Sequence, residues 1–308
     1  MVWNSWSSIL VGKLFMAKTI WIEIPADFNF RATVYSHGWC QLAPFDLDEG
    51  KWRLSYVFSD GKAAVPGVIS EEKKRLRVDL ANTKIADKRI VNDVRHVLRL
   101  DDDLSGFYAA ITDHERLGWI PELRAGRLLR SPTVFEDLVK TICTTNCSWG
   151  LTKIMVTNLV DKLGIKAAGG KRAFPTAKAM AAVSEDFYRE EIRAGYRSPY
   201  FVELAEKVVS GELNPQSWLT SELSTADLKK EMKKVKGVGD YAADNLLKLI
   251  GRYDGLALDS WLRSQFYKIH NKDRRCKDTR IERHYSKFGE WRGLVIWCDM
   301  TEKWVVET

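Results

Sequence analysis

Cysteine is scarce in this sequence, and its few members are poorly arranged for disulfides or metal binding. Among 308 residues there are five cysteines, an odd and scattered set: Cys40, Cys143, Cys147, Cys276 and Cys298. A disulfide scaffold is therefore excluded as the basis of the fold. Cys143 and Cys147 stand four residues apart, but no nearby Cys or His pair completes a ligand set, and the five histidines form no HExxH pair. We expect no iron–sulfur cluster and no structural metal cluster.

Long apolar runs are also missing. No run approaches the roughly 18 residues that a membrane-spanning helix needs, and the N-terminal WNSWSSILVGKLF lacks the basic start, long apolar core and cleavage site of a signal peptide. We therefore expect no membrane segment and a location in the cytoplasm, or in the nucleus if the source is eukaryotic. Regular patterning begins with AKTIWIEIP after Met16, which predicts that residues 1–15 are an upstream extension.

Positive charge is in modest excess. A net charge of +7 and an isoelectric point near 9.0 favour a polyanionic partner. The excess is concentrated in five lysines that precede a glycine turn: Lys229, Lys230, Lys233, Lys234 and Lys236. A solvated helix face is the alternative interpretation of this cluster.

The periodicity of apolar residues changes along the chain. Alternating or β-branched patterns at 20–24, 52–58 and 76–80 predict strands, and from Val91 the apolar spacing is helical. Strands followed by helices are typical of an α+β fold. We predict an N-terminal domain with an antiparallel β-sheet over residues 16–115 and a mostly α-helical domain over residues 116–308.

The most informative segment is VKGVGDYAADNLLKLIGRYDGLALDSW, residues 235–261. Its turn of Gly237, Val238 and Gly239 precedes a helical pattern, so backbone N–H groups and the positive end of the helix dipole face outward, as suits a phosphate. A short apolar run then ends in an isolated acid, Asp259. An ordinary helix-turn-helix with a surface aspartate is the alternative.

These residues resemble the helix-hairpin-helix DNA glycosylases, the HhH-GPD superfamily, over most of the chain. KKVKGVGDYAADNLL is similar to the family's hairpin, about residues 228–250, although Lys236 stands where proline is usual. LALDSW resembles the loop with the catalytic aspartate. ICTTNCSW and GYRSPY are similar to segments of the 8-oxoguanine glycosylase branch, which is related to the bacterial 3-methyladenine DNA glycosylases II. The resemblance implies a base-excision-repair enzyme that flips a damaged base out of double-stranded DNA.

The resemblance implies roles for particular residues. Asp259 is the catalytic carboxylate, which stabilises positive charge on the sugar and orients or deprotonates water. Asn146 fills the gap left by the flipped base, and Arg197 contacts the orphaned partner base. A helix C-cap is the alternative for Asn146, and a surface ion pair for Arg197. The DNA phosphate is bound by the hairpin, through Lys236, Gly237, Val238 and Gly239.

Tyr241 occupies the position where bifunctional members carry the lysine nucleophile. A phenol cannot form an imine, so the chain is predicted to be a monofunctional glycosylase without Schiff-base lyase activity, which leaves an abasic site.

The base pocket inherits four positions from the resemblance, and they are Phe28, Asn245, Gly293 and Trp297. Trp297 would stack on the base, as aromatic side chains do, whereas Asn245 and Gly293 depart from the cysteine and glutamine of the 8-oxoguanine branch. Twelve tryptophans would suit an electron-poor alkylated base, although most are expected in the core. We expect an alkylated or otherwise modified purine. The alternatives are 8-oxoguanine, a deaminated or mismatched base, or a damage-binding protein that does not cut.

The resemblance also implies a monovalent cation, K⁺ or Na⁺, held by main-chain carbonyls of Lys233, Val235 and Val238. No other cofactor is expected, and the protein is expected to act as a monomer.

Overall fold

An antiparallel sheet precedes a larger helical region, which confirms the predicted α+β class. The computed structural model describes residues 18–306, so the extension predicted for residues 1–15 lies outside the described residues. The strands are β1 (Lys18–Glu23), β2 (Asp46–Asp48), β3 (Arg53–Ser59), β4 (Ala64–Glu72) and β5 (Arg75–Leu80). Within residues 18–306 no helix is both long and apolar enough to cross a bilayer.

Fourteen α-helices are found in the described part of the chain. They are α1 (Phe30–Val34), α2 (Asp87–Val97), α3 (Ser105–Ile111), α4 (Trp119–Glu122), α5 (Val134–Thr144), α6 (Trp149–Leu163), α7 (Ala177–Ala181), α8 (Glu185–Glu190), α9 (Ser198–Ser210), α10 (Thr225–Met232), α11 (Asp240–Leu249), α12 (Ser260–His270), α13 (Asp278–Tyr285) and α14 (Arg292–Val306). Helices α1, α2 and α3 thus lie inside the region 16–115 that was predicted to be β-rich.

The sheet has the strand order β1-β5-β4-β3-β2, and every neighbouring pair is antiparallel. The three predicted strands correspond to β1, β3 and β5, but β4 escaped prediction because Pro66 and Gly67 in its middle are typical of a turn. Gly67 is instead a packing residue. A Cβ atom there would lie 2.7 Å from a ring carbon of Phe58, so the glycine allows that ring to cover the strand.

Helix α11 is fixed at both ends. At its N-terminal side Gly237 has φ of +87°, and a Cβ atom there would lie 2.8 Å from the ring of Tyr200. At its C-terminal end the main-chain carbonyl of Leu249 accepts hydrogen bonds from Arg99 Nη1 at 2.7 Å and from Arg130 Nη1 at 3.1 Å. Cationic donors suit the negative end of a helix dipole, so the buried guanidinium of Arg99 both caps and positions α11.

We predict that Arg99→Met lowers the free energy of unfolding by about 3–5 kcal/mol, because it leaves buried partners of a charged group without a donor. The matched control is Arg95→Met, four residues earlier in α2, where a partly exposed guanidinium pairs with Asp101. Loss of that surface pair should change the stability by about 0–1 kcal/mol. Urea unfolding of both variants measures the difference, and equal effects would show that Arg99 does not anchor the helix.

Candidate active site

A cavity of about 900 Å³ lies where the 35–41 segment meets helices α5, α6, α11, α12 and α14. Its lining is rich in aromatic side chains. Five of the twelve tryptophans contribute to it, namely Trp39, Trp149, Trp261, Trp297 and Trp304. These five tryptophans line a cavity, whereas most tryptophans were expected in the core. The walls of the cavity suit a flat aromatic ligand.

Asp259 lines this cavity as the N-cap of α12. Its Oδ1 accepts a hydrogen bond from the backbone N–H of Leu262 at 2.7 Å, which holds the carboxylate at the positive end of the helix dipole. The phenol of Tyr241 lies beside it: burial and the charge of Asp259 raise the pKa of Tyr241 to about 12. The carboxylate therefore has a neutral phenol as its neighbour, not an amine.

One face of α11 runs along the cavity. Tyr241, Asn245 and Lys248 stand at positions i, i+4 and i+7, the spacing of a single helical stripe, and all three line the cavity. Tyr241 and Asn245 are half-buried, whereas Lys248 is buried, so the stripe leads inward. The Nδ2 atom of Asn245 donates to the main-chain carbonyl of Tyr241 at 2.9 Å.

Lys248 is a cavity residue that the motifs did not identify. Its Nζ donates to the main-chain carbonyl of Leu256 at 3.3 Å and lies 5.4 Å from the ring centroid of Trp297. Burial lowers the pKa of Lys248 to about 8, although the charges of Asp244 and Asp259 oppose this shift. Its helical spacing from Tyr241 and Asn245 was the available signal, but spacing alone does not distinguish a cavity lysine from a surface one.

Trp297 lies in the cavity as predicted for a base-stacking residue. Its Nε1 donates to the main-chain carbonyl of Ser36 at 2.7 Å, which fixes the plane of the indole. The rings of Trp261 and Trp304 lie 6.1 Å and 5.9 Å from it, so three tryptophans from α12 and α14 form one wall.

His37 is a second cavity residue outside the motifs. Burial lowers its pKa to about 4, so the imidazole is neutral near pH 7. Its Nε2 contacts the carbonyl of Leu129, so that nitrogen carries the hydrogen and Nδ1 is left as an acceptor. The imidazole lies 4.7 Å from the ring of Trp39 and 6.5 Å from that of Trp297.

Two residues expected in the base pocket lie elsewhere. Phe28 is buried in the hydrophobic core and is not part of the cavity lining. Gly293 packs helix α14 against a loop: its N–H donates to the carbonyl of Tyr253 at 2.6 Å, and a Cβ atom there would lie 2.0 Å from the carbonyl oxygen of Gly255. That glycine serves close backbone packing.

Asn146 and Arg197 belong to one loop assembly but face differently. Asn146 is exposed, follows the α5 C-cap Thr145, and has φ of +47°, a conformation that asparagine tolerates. Arg197 is buried and donates from Nε to the carbonyl of Ile142 at 3.1 Å and from Nη2 to that of Thr145. Arg197 is thus not the surface ion pair of the alternative interpretation, and its guanidinium supports the loop from inside by donating to two main-chain carbonyls. Its contact with an orphaned base stays a prediction.

The glycine hairpin precedes α11, with Gly239 as N-cap. A Cβ atom at Gly239 would meet nothing within 4 Å, so the backbone there is open to an approaching ligand. The lysine cluster is less positive than its sequence indicates, because each member has a carboxylate partner. The pairs are Lys229–Asp244, Lys230–Asp227, Lys233–Asp240, Lys234–Glu231 and Lys236–Glu203, at 2.5–2.9 Å.

His270, His284 and Asp299 form the one group of metal-type ligands that the described residues bring together, with ligand atoms within 4.8 Å. Both oxygens of Asp299 already have protein donors. Arg116 Nε lies 2.8 Å from Oδ1, while His270 Nε2 and the Tyr285 hydroxyl each lie 2.7 Å from Oδ2. The cluster is a hydrogen-bond network that joins α12, α13 and α14.

Comparison with solved structures identifies the fold. The "MBOgg1" protein, solved with a low-affinity DNA ligand, matches with a TM-score of 0.73 and 24% identity, over 92% of this chain and 96% of that one. The Clostridium acetobutylicum 8-oxoguanine glycosylase/lyase, solved with DNA, gives 0.71 and 18% over 92% and 93%. The 3-methyladenine DNA-glycosylase of Archaeoglobus fulgidus gives 0.72 and 18% over 93% and 98%. The chain has the fold of these DNA glycosylases.

A weaker sequence match agrees with this fold. A curated protein of Methanothermobacter thermautotrophicus, described as "Probable N-glycosylase/DNA lyase", is 22% identical over 273 residues, which is 81% of this chain and 85% of that protein. No family model matches the chain.

We predict that Arg197→Met lowers the free energy of unfolding by about 2–3 kcal/mol, because buried main-chain carbonyls lose a charged donor. Arg193→Met, at an exposed arginine four residues earlier, is the control and should be nearly neutral. Urea unfolding measures both. An unchanged stability of Arg197→Met, together with a lost preference for the base opposite a lesion, would instead assign Arg197 to the orphaned base.

Proposed function

We propose that this protein is a monofunctional DNA glycosylase of base excision repair, which flips a modified purine out of double-stranded DNA and hydrolyses its N-glycosidic bond. The observation that carries the proposal is the pairing of Asp259 with Tyr241 at one side of an aromatic-walled cavity. A carboxylate beside a site for a flat ligand suits bond cleavage at a sugar, whereas simple binding of a base has no need of it.

Base extrusion explains the placement of the aromatic wall and of Asn146. A base in a duplex must leave the stack before it is attacked, at a cost of a few kcal/mol. Stacking on Trp297 would recover about 1–3 kcal/mol. Asn146 is exposed on a loop supported by Arg197, and in this proposal it would fill the gap in the duplex.

Asp259 supplies the chemistry in this proposal. Departure of the base builds positive charge on the sugar, and an ionised carboxylate nearby stabilises that charge and orients the attacking water. The Leu262 N–H holds one carboxylate oxygen in place. Because this arrangement exists before DNA binds, little reorganisation is needed at the moment of bond cleavage.

The positions of the lysine amines near Asp259 disfavour a Schiff-base lyase reaction. Tyr241 lies next to Asp259, where a nucleophilic amine would have to stand. Lys236 is held by Glu203 at 2.5 Å. Lys248 is seven residues further along α11, about 10.5 Å at 1.5 Å per residue. Our proposal therefore does not extend to this chain the lyase activity in the name of the Methanothermobacter relative.

DNA would be gripped at the hairpin. The N–H groups at the start of α11 are directed outward by Gly237 and Gly239, which suits a phosphate. We also propose that carbonyls of Lys233, Val235 and Val238 would hold a monovalent cation at the same turn, where the Val235 carbonyl accepts the N–H of Val238 at 3.0 Å. We propose that the protein acts there as a monomer.

We predict that Asp259→Asn lowers base excision by at least about 10³-fold, a loss comparable to removal of one preorganised charge-stabilising group, while DNA affinity is kept. Asparagine caps a helix as well as aspartate does, so the fold should be unaffected. Duplexes with single lesions are incubated with each protein and then cleaved with alkali. Retained excision by the variant would remove Asp259 from catalysis, and no release by the unchanged protein on any lesion would favour a damage-binding protein.

We predict further that Tyr241→Lys places an amine beside Asp259 and makes the protein trappable on lesion DNA by borohydride, because an imine then forms at the sugar. The unchanged protein should give no trapped complex and no strand breaks without alkali. A trapped complex with the unchanged protein would contradict the monofunctional proposal and point to Lys248 or Lys303, the two lysines of the cavity lining.

A further inference from the structure

Hydrolysis at Asp259 leaves one buried charged group of the cavity lining without a role. Lys248 is 2% exposed and lines the cavity among aromatic side chains. Placing an ammonium in such surroundings is unfavourable unless it has partners. Its direct hydrogen bond is a long one of 3.3 Å to the carbonyl of Leu256, and an ammonium has three N–H donors.

The position of Lys248 along α11 indicates what it meets. Tyr241, beside the carboxylate, marks the level of the sugar, and the backbone of Lys248 lies two helical turns further along α11, a rise of about 10.5 Å. Its Nζ is 5.4 Å from the ring of Trp297. A base stacked on that ring would therefore present its far edge, and not its sugar, to Lys248.

We propose that Lys248 donates a hydrogen bond to a carbonyl oxygen on the edge of the extruded base, and thereby selects neutral keto purines, oxidised or deaminated, over cationic N-alkylated purines. This inference rests on the proposed glycosylase function. It departs from the sequence-based expectation of an alkylated purine. That expectation considered the number of tryptophans and not the positive charge of Lys248 beside them.

The charges around Lys248 support this selection. Asp244 on the same helix, Asp259 at the N-cap of α12 and Cys298 on α14 face it, and His37 approaches from the 35–41 segment. His37 is neutral because burial lowers its pKa to about 4, so Lys248 is the cation at the inner end. An alkylated purine with its own positive charge would be repelled by this ammonium.

The test compares three lesions in otherwise identical duplexes under single-turnover conditions. Hypoxanthine is neutral and has a carbonyl, 1,N6-ethenoadenine is neutral without one, and N7-methylguanine has a carbonyl but is cationic. Each rate is divided by the spontaneous rate of base loss. We expect the unchanged protein to favour hypoxanthine over both others, and Lys248→Met to lower hypoxanthine excision by about 10- to 100-fold, the effect of one hydrogen bond to a charged group.

A merely structural lysine would not produce this pattern. Lys140→Met is the matched control. That lysine is also fully buried, but it forms an ion pair with Glu136 at 2.7 Å and is not part of the cavity lining. It should lower the melting temperature and leave the ratio of the three lesions unchanged. Lys248→Arg, which keeps the charge and donors, should retain the preference for hypoxanthine even if its rates are reduced.

The pH dependence gives a second, independent readout. Because burial holds the pKa of Lys248 at about 8, hypoxanthine excision should fall as the pH rises through that value, and Lys248→Arg should lack this fall. The pKa of His37, at about 4, and that of Cys298, raised by burial to about 12, lie outside this range.

The outcomes separate the two proposals. If the unchanged protein releases none of these bases and no other modified base, the glycosylase function fails. If it releases bases but Lys248→Met keeps the same ratio among the lesions, the function stands and the role of Lys248 is overturned. A preference for N7-methylguanine in the unchanged protein would also overturn it.

Discussion

The candidate site depends on how helix α11 is held. A left-handed glycine packed against Tyr200 fixes its start, and the buried guanidinium of Arg99 binds its last carbonyl. Neither Gly237 nor Arg99 lines the cavity. Together they set the rotation and depth of the helix, and so decide that Tyr241 meets the carboxylate while Lys248 lies at the inner end.

In the proposed mechanism, opposite charges in the cavity act on different parts of the nucleotide, one on the sugar and one on the base. Asp259 suits a sugar that becomes positive, whereas Lys248 suits a base edge that is rich in electrons. Two unit charges about 5 Å apart at an effective dielectric constant near 20 repel by about 3 kcal/mol. A cation–π contact contributes about 0.5–2 kcal/mol, which is less than this repulsion. The five tryptophans of the lining therefore do not by themselves make the cavity a site for cationic bases.

Local patterns predicted much of this architecture, and contacts between distant segments account for what they missed. Helix periodicity and the LALDSW run identify elements whose causes lie within about ten residues. The inward turn of Arg197 depends on carbonyls more than 50 residues away, and the tight packing of Gly293 on a loop about 40 residues earlier. The sequence shows only that Lys248 lies on a helix. Its place in the cavity lining depends on burial by α14 and by the loop that contains Leu256.

Mass spectrometry of the complete reaction products from a duplex with one modified purine is the most direct measurement of the central proposal. We expect a free purine base and an intact strand that has lost the mass of that base and gained that of water. A strand broken at the lesion with an unsaturated sugar end would show lyase chemistry in place of hydrolysis. If the strand is unchanged for every modified purine tested, the proposed enzymatic activity is contradicted.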